Sequence, residues 1–277
     1  MKWQGRRQSK NVVDRRRGGA TGAVGGVGVV VVLLIGWALG VDVTPLLSEL
    51  EGQGGTTQLS AADERAAEFV AVTLADTEEI WADILPDQAG QRYAEPALVL
   101  FSGATQSACG GASAATGPFY CPADKQIYLD TDFFVTMERQ LGAGGDFAAA
   151  YVVAHEVAHS VQDQLGILGE ANRVRAQVSE AQSNAISVRI ELQADCYSGI
   201  WARAASRTLG TIERGDLDEA LNAARQIGDD TLQRNAGRSV QPHTFTHGTS
   251  DQRERWFEKG YQSGDMRQCD TFSVQRL

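Results

Sequence analysis

The sequence predicts an α+β domain, mostly helical with a small sheet, behind one N-terminal transmembrane helix. Three observations predict it. An uncharged run, Gly18 to Val41, follows a basic cluster. Apolar residues then recur at three- and four-residue spacing through long stretches of the chain. Only two short runs, Ala97 to Phe101 and Ile127 to Leu129, read as strands.

Residues 1–22 carry Lys2, Arg6, Arg7, Lys10, Arg15, Arg16 and Arg17 against one acid, Asp14, a net charge of +6. The whole chain stands at −10, so the remainder is strongly acidic. That balance argues against nucleic acid as a partner. Gly18 to Val41 holds no charge and its core, Val27 to Leu39, is strongly apolar; about 20 such residues suffice to cross a bilayer. The expected division is a basic cytoplasmic segment (1–22), a transmembrane anchor (23–41), a linker (42–59) and one large domain (60–277). The basic flank predicts a single-pass protein of the cell membrane, with a cytoplasmic N-terminus and an extracytoplasmic domain. The long basic region, the lack of a small-residue cleavage site and Trp37 favour an uncleaved anchor over a signal peptide. Gly22 and Gly26 have the GxxxG spacing that would support a weak homodimer.

Ser60 with Asp63 forms a capping box that opens a helix through Leu85, where Pro86 ends it. The two strands follow, separated by the small-residue stretch Ser102 to Asp124. Thr131 to Leu141 reads as a helix. Asp146 caps another from Phe147 to Leu165, which Gly166 closes. Ile186, Ile190, Ala194, Tyr197 and Trp201 mark a third at helical spacing. Asp216 to Ile227 reads as solvent-facing helix, and Thr249 with Gln252 caps a last one from Asp251 to Gly260.

The chemistry is concentrated in His155-Glu156-Val157-Ala158-His159, which takes two of the chain's four histidines. On a helix, positions i and i+4 share a face, so both imidazoles can grip one ion. Glu156 is rotated by about 100°, which suits a group that reaches a water on the metal rather than the metal. This is the pattern of a zinc-hydrolase helix. Catalytic zinc takes three protein ligands and leaves one position open. Glu191 and Asp195, four apart on the next helix, fit the remaining roles. Glu191 is the expected third ligand to Zn2+, beside His155 and His159, and Asp195 the acceptor of a ligand histidine's outer N–H.

Four cysteines, Cys109, Cys121, Cys196 and Cys269, allow three pairings. Cys109–Cys121 and Cys196–Cys269 are favoured. The first closes a local loop, and the second ties the C-terminus to the Glu191 helix, as an oxidising compartment permits.

The chain resembles the neutral zinc metallopeptidase family of bacteria, of the glutamate-zincin type. The resemblance rests on Lys2 to Ser9, Ala154 to Gln162, Glu191 to Tyr197 and Thr246 to Arg253, and spans nearly the whole chain. It implies a zincin-like fold in which an edge strand beside the active helix pairs with extended substrate; Ala114 to Tyr120 is the candidate. It also implies a Tyr or His that stabilises the oxyanion. His247 is the first choice and His243 the second, with Arg253, Tyr197 and Tyr261 as alternatives.

The expected activity is zinc-dependent peptide-bond hydrolysis on a peptide or protein substrate, with Glu156 as general base. The alternative is a membrane-anchored zinc-binding scaffold or partner-binding protein without proteolytic activity. An intramembrane protease fits poorly, because polar Ser160, Gln162, Asp163 and Gln164 follow the motif directly.

Overall fold

The computed structural model describes residues 1–16, 59–113 and 116–277. The expected anchor at 23–41, the linker at 42–59 apart from its last residue, and the Gly22/Gly26 pair lie outside the described residues. Among those described, no helix is long and apolar enough to cross a membrane.

A four-stranded sheet runs in the order β1 (Val12–Asp14), β2 (Ala97–Phe101), β6 (Gln126–Asp130), β5 (Phe119–Cys121). Strands β1, β2 and β6 are parallel, and β5 closes the edge antiparallel to β6. Leu98, Val99, Leu100 and Ile127 to Leu129 are buried, as continuous apolar runs in parallel strands should be. A hairpin of β3 (Ala104–Ser107) and β4 (Gly110–Ser113) stands apart. The Cys109–Cys121 disulfide links that hairpin to the end of β5, and Cys196–Cys269 forms as well.

Residues 1–16 pack against the domain through β1. β1 pairs with β2 in the register Val12 to Leu98, and the Lys2 amide donates to the Thr211 carbonyl. Three residues with one polar end carry too little periodicity to read as a strand.

Helix α1 (Ala61–Ala89) opens on the Ser60/Asp63 capping box as expected. It does not stop at Pro86. Proline removes one N–H, yet its carbonyl still accepts from Gly90, so the last turn closes through it. Then come α2 (Asp132–Leu141), α3 (Asp146–Gln164), α4 (Ile167–Arg175), α5 (Glu180–Ala204), α6 (Asp216–Gln226), α7 (Asp229–Asn235) and α8 (Ser250–Ser263). Asp146 is the first residue of α3 rather than its cap; its carboxylate holds the Met1 amino group at 2.6 Å instead.

α3 is buried on nearly every side, from Phe147 to Val161. It lies against α5 and α6, and α5 against α8. Two glycines set the last contact. A methyl at Gly199 would overlap the Phe257 carbonyl, and one at Gly260 the Cys196 carbonyl. The two helices therefore touch backbone to backbone, which lets the side chain of Arg253 on α8 reach Asp195 on α5.

Candidate metal centre and cleft

α3 and α5 run side by side, and the His155, His159 and Glu191 side chains meet between them. His155 Nε2 lies 3.0 Å from Glu191 Oε2, and His159 Nε2 3.5 Å from Glu191 Oε1. One donor atom from each of the three falls within 4.8 Å of the others. Two imidazoles and a carboxylate are a zinc donor set, and this convergence fits a single ion. Both ring atoms that face Glu191 are Nε2, so each Nδ1 is left to a supporting group.

Those supports differ. His155 Nδ1 sits 2.9 Å from Asp195 Oδ1, close enough for an ion pair but bent away from hydrogen-bond geometry. Asp195 is fully buried and held from its far side. Arg253 Nε donates to Oδ2 and a terminal nitrogen to Oδ1, both at 2.9 Å, and the Tyr151 hydroxyl donates to Oδ1 at 2.5 Å. His159 Nδ1 instead meets Gln162 Oε1 at 2.8 Å. The Gln162 amide nitrogen donates to the Ile190 carbonyl and to Gln193 Oε1, and Gln193 in turn to the Cys269 carbonyl. Asp195 thus lies beside the Nδ1 of a ligand-candidate histidine. Gln162 as a histidine partner was not assigned, although its i+3 spacing from His159 was the available signal.

Burial and charge act against each other here. Burial alone would lower the histidine pKa values, but Asp195 and Glu191 raise His155 to about 10, and Glu191 raises His159. Burial would raise the carboxyls. His159 and His155 nonetheless hold Glu191 well below the usual range, and Arg253 and His155 bring Asp195 down to about 2.

The three residues open on a cleft of about 540 Å³. Glu156, Thr116 to Tyr120 and His247 line it. Apolar Phe119, Phe133, Leu141, Leu168, Ile227 and Leu232 form much of its wall, and Arg175 and Asn172 also border it. β5 is the sheet edge on that side, pinned to α3 by the Tyr120 hydroxyl, which donates to Asp163 at 2.9 Å. Of the expected substrate stretch, Ala114 and Ala115 lie outside the described residues, and Thr116 to Tyr120 border the cleft.

His247 sits on a loop built around Asp229. Asp229 Oδ2 accepts from the backbone amides of Thr246, His247 and Gly248 at 2.8, 2.7 and 2.9 Å. Gly248 at φ +99 permits that turn. Asp229 Oδ1 lies 3.3 Å from His247 Nδ1. The other oxyanion alternatives are placed less well. His243 and Tyr261 do not border the cleft, Tyr197 packs edge-on against Trp81 in the core, and Arg253 borders the cleft but is committed to Asp195.

A second acidic cluster among the described residues, Asp146, Asp216 and Glu219, has structural work. Asp146 and Asp216 hold the Met1 amino group, and Glu219 accepts from the Phe147 amide.

Residues 1–272 match the family described as "Putative neutral zinc metallopeptidase". The chain is 44% identical to the Escherichia coli (strain K12) protein named "Uncharacterized protein YpfJ", over 98% of this chain and 99% of the relative. It is also 44% identical to the Mycobacterium tuberculosis (strain H37Rv) protein named "Uncharacterized protein Rv2575", over 75% of this chain and 71% of that one. No solved structure matches.

Proposed function

The chain belongs to the neutral zinc metallopeptidase family, whose cofactor is zinc, and from that premise we propose that it is a metalloendopeptidase of zincin type. The observation that carries this reading is Glu156. It is buried to 6% exposure, it lines the same cleft as the three ligand candidates, and no hydrogen bond or ion pair among the described residues occupies its carboxylate. A site meant only to hold metal has no use for such a group.

His155, His159 and Glu191 hold the zinc, which when bound polarises a carbonyl and lowers the pKa of water. Glu156 accepts a proton from the attacking water and returns it to the leaving amine as the C–N bond breaks. His247, held through Nδ1 by Asp229, acts as the imidazolium and donates its Nε2–H to the carbonyl oxygen as negative charge grows there. The substrate lies extended along the β5 edge and places apolar side chains against Phe119, Phe133 and Leu168. Asp195 and Gln162 orient the two imidazoles. The two disulfides support an oxidising, extracytoplasmic site of action.

Metal analysis and peptide-library cleavage by the full chain test the reading, wild type against Glu156→Gln. Zinc in both and cleavage by the wild type alone is the expected result. Zinc without cleavage in either would leave a zinc-binding scaffold, and a zinc-free wild type would end the proposal.

A further inference from the structure

The N-terminal basic residues have partners inside the domain. Arg6 lies 2.9 Å from Asp76, and Arg7 3.0 Å from Glu78. Both acids are in α1 and only 3% exposed. Ser9 and Asn11 also bond Glu78. Burial pushes the Asp76 carboxyl up despite Arg6, so its charge depends on that guanidinium. Withdrawing residues 1–16 would strand two buried carboxylates, which a folded domain does not tolerate well. It would also unpair the edge of β2, where the Leu98 amide donates to Asn11 and the Leu100 carbonyl accepts from Arg15.

Arg16 adds a distance constraint. It is 2% exposed, donates to the Asp63 carbonyl at 2.6 Å and lies 3.5 Å from the Glu64 carboxylate. Residue 16 therefore touches the first turn of α1. A single bilayer crossing by Gly18 to Val41 would hold residue 16 and residue 60 on opposite faces of a hydrocarbon layer about 30 Å thick. The two arrangements exclude each other.

The geometry points to residues 1–16 as a permanent strand of the domain, on the same side of any membrane as residues 60–277. The apolar stretch then does not serve as one crossing between them. Three basic residues of the cluster, Arg6, Arg7 and Arg16, are paired with acids of the fold itself. This inference is independent of zinc and of catalysis.

Thiol labelling of the full chain in intact cells tests it. Lys10→Cys and Gln8→Cys report on the N-terminal segment, and Arg238→Cys on the domain; all three positions are exposed. A membrane-impermeant maleimide should label all three, or none until the cells are permeabilised. Labelling of Arg238→Cys with both N-terminal reporters protected, or the reverse, would overturn the inference.

Discussion

His159 Nδ1 and Gln162 Oε1, one turn apart on the same helix and separated by 2.8 Å, fix which nitrogen of the imidazole faces the metal position. The Gln162 amide nitrogen spends its two hydrogens on Ile190 and Gln193. Its oxygen can therefore only accept, which puts the proton of a neutral His159 on Nδ1 and leaves Nε2 bare for the ion. Gln162→Leu should weaken zinc binding by roughly 10- to 100-fold. Competition with a chromogenic chelator reads this directly. An unchanged affinity would mean that packing alone sets the ring.

Arg253 is the counter-charge that makes a fully buried Asp195 tolerable. Arg253→Met removes two hydrogen bonds to the carboxylate and leaves it facing Tyr151 and His155. A loss on the order of 3 to 5 kcal/mol in unfolding free energy is expected. Arg253→Lys should recover only part, since an ammonium cannot bridge both oxygens and the Tyr151 hydroxyl as the planar guanidinium does. Urea titration of the three proteins orders them; full recovery by lysine would contradict the geometry.

The same pair sets an acid limit. Burial opposes ionisation of Asp195, but Arg253 and His155 bring its folded pKa to about 2, below the reference value of 3.8. A depressed carboxyl contributes stability that is fully present above the unfolded pKa and lost as pH falls through the folded one. The stability gap between wild type and Asp195→Asn should hold steady above about pH 4 and narrow between pH 4 and 2. A gap independent of pH across that window would show that the carboxylate charge is not what matters.

His247 stands half exposed at the cleft with its backbone pinned by Asp229. His247→Ala should lower kcat by roughly 10²- to 10³-fold, as loss of one oxyanion donor does, while KM and zinc content stay near those of the wild type. Steady-state kinetics on a cleaved library peptide separates the two parameters. A change confined to KM would make His247 a substrate contact instead.

Much of the fold was legible because its signals are local. The helix of His155 and His159, strand Ala97 to Phe101 and the capping boxes at Ser60 and Thr249 follow from periodicity and cap residues, and the favoured cysteine pairing, one of three, is the one formed. Glu191 and Asp195 could be placed on one face for the same reason. What escaped depends on distant chain. Nothing near Val12 announces that it pairs with Leu98. The pairing of Arg6 and Arg7 with Asp76 and Glu78 was not legible either, because those acids are buried in a helix whose inward face cannot be seen from residues 1–16. Asp229 as the support of His247 was missed because a loop closed by three backbone amides leaves no side-chain pattern.

The seating of the N-terminal segment also bears on how the protein comes to be folded. The Met1 amino group rests against Asp216, 215 positions further along the chain, and Lys2 bonds to Thr211. Met1 and Lys2 reach these partners only once α6 and the chain before it are in place. Long-range closures of this kind slow folding and lengthen exposure of aggregation-prone edges. The seating of residues 1–16 is therefore complete only when α6, 215 positions further along, is in place.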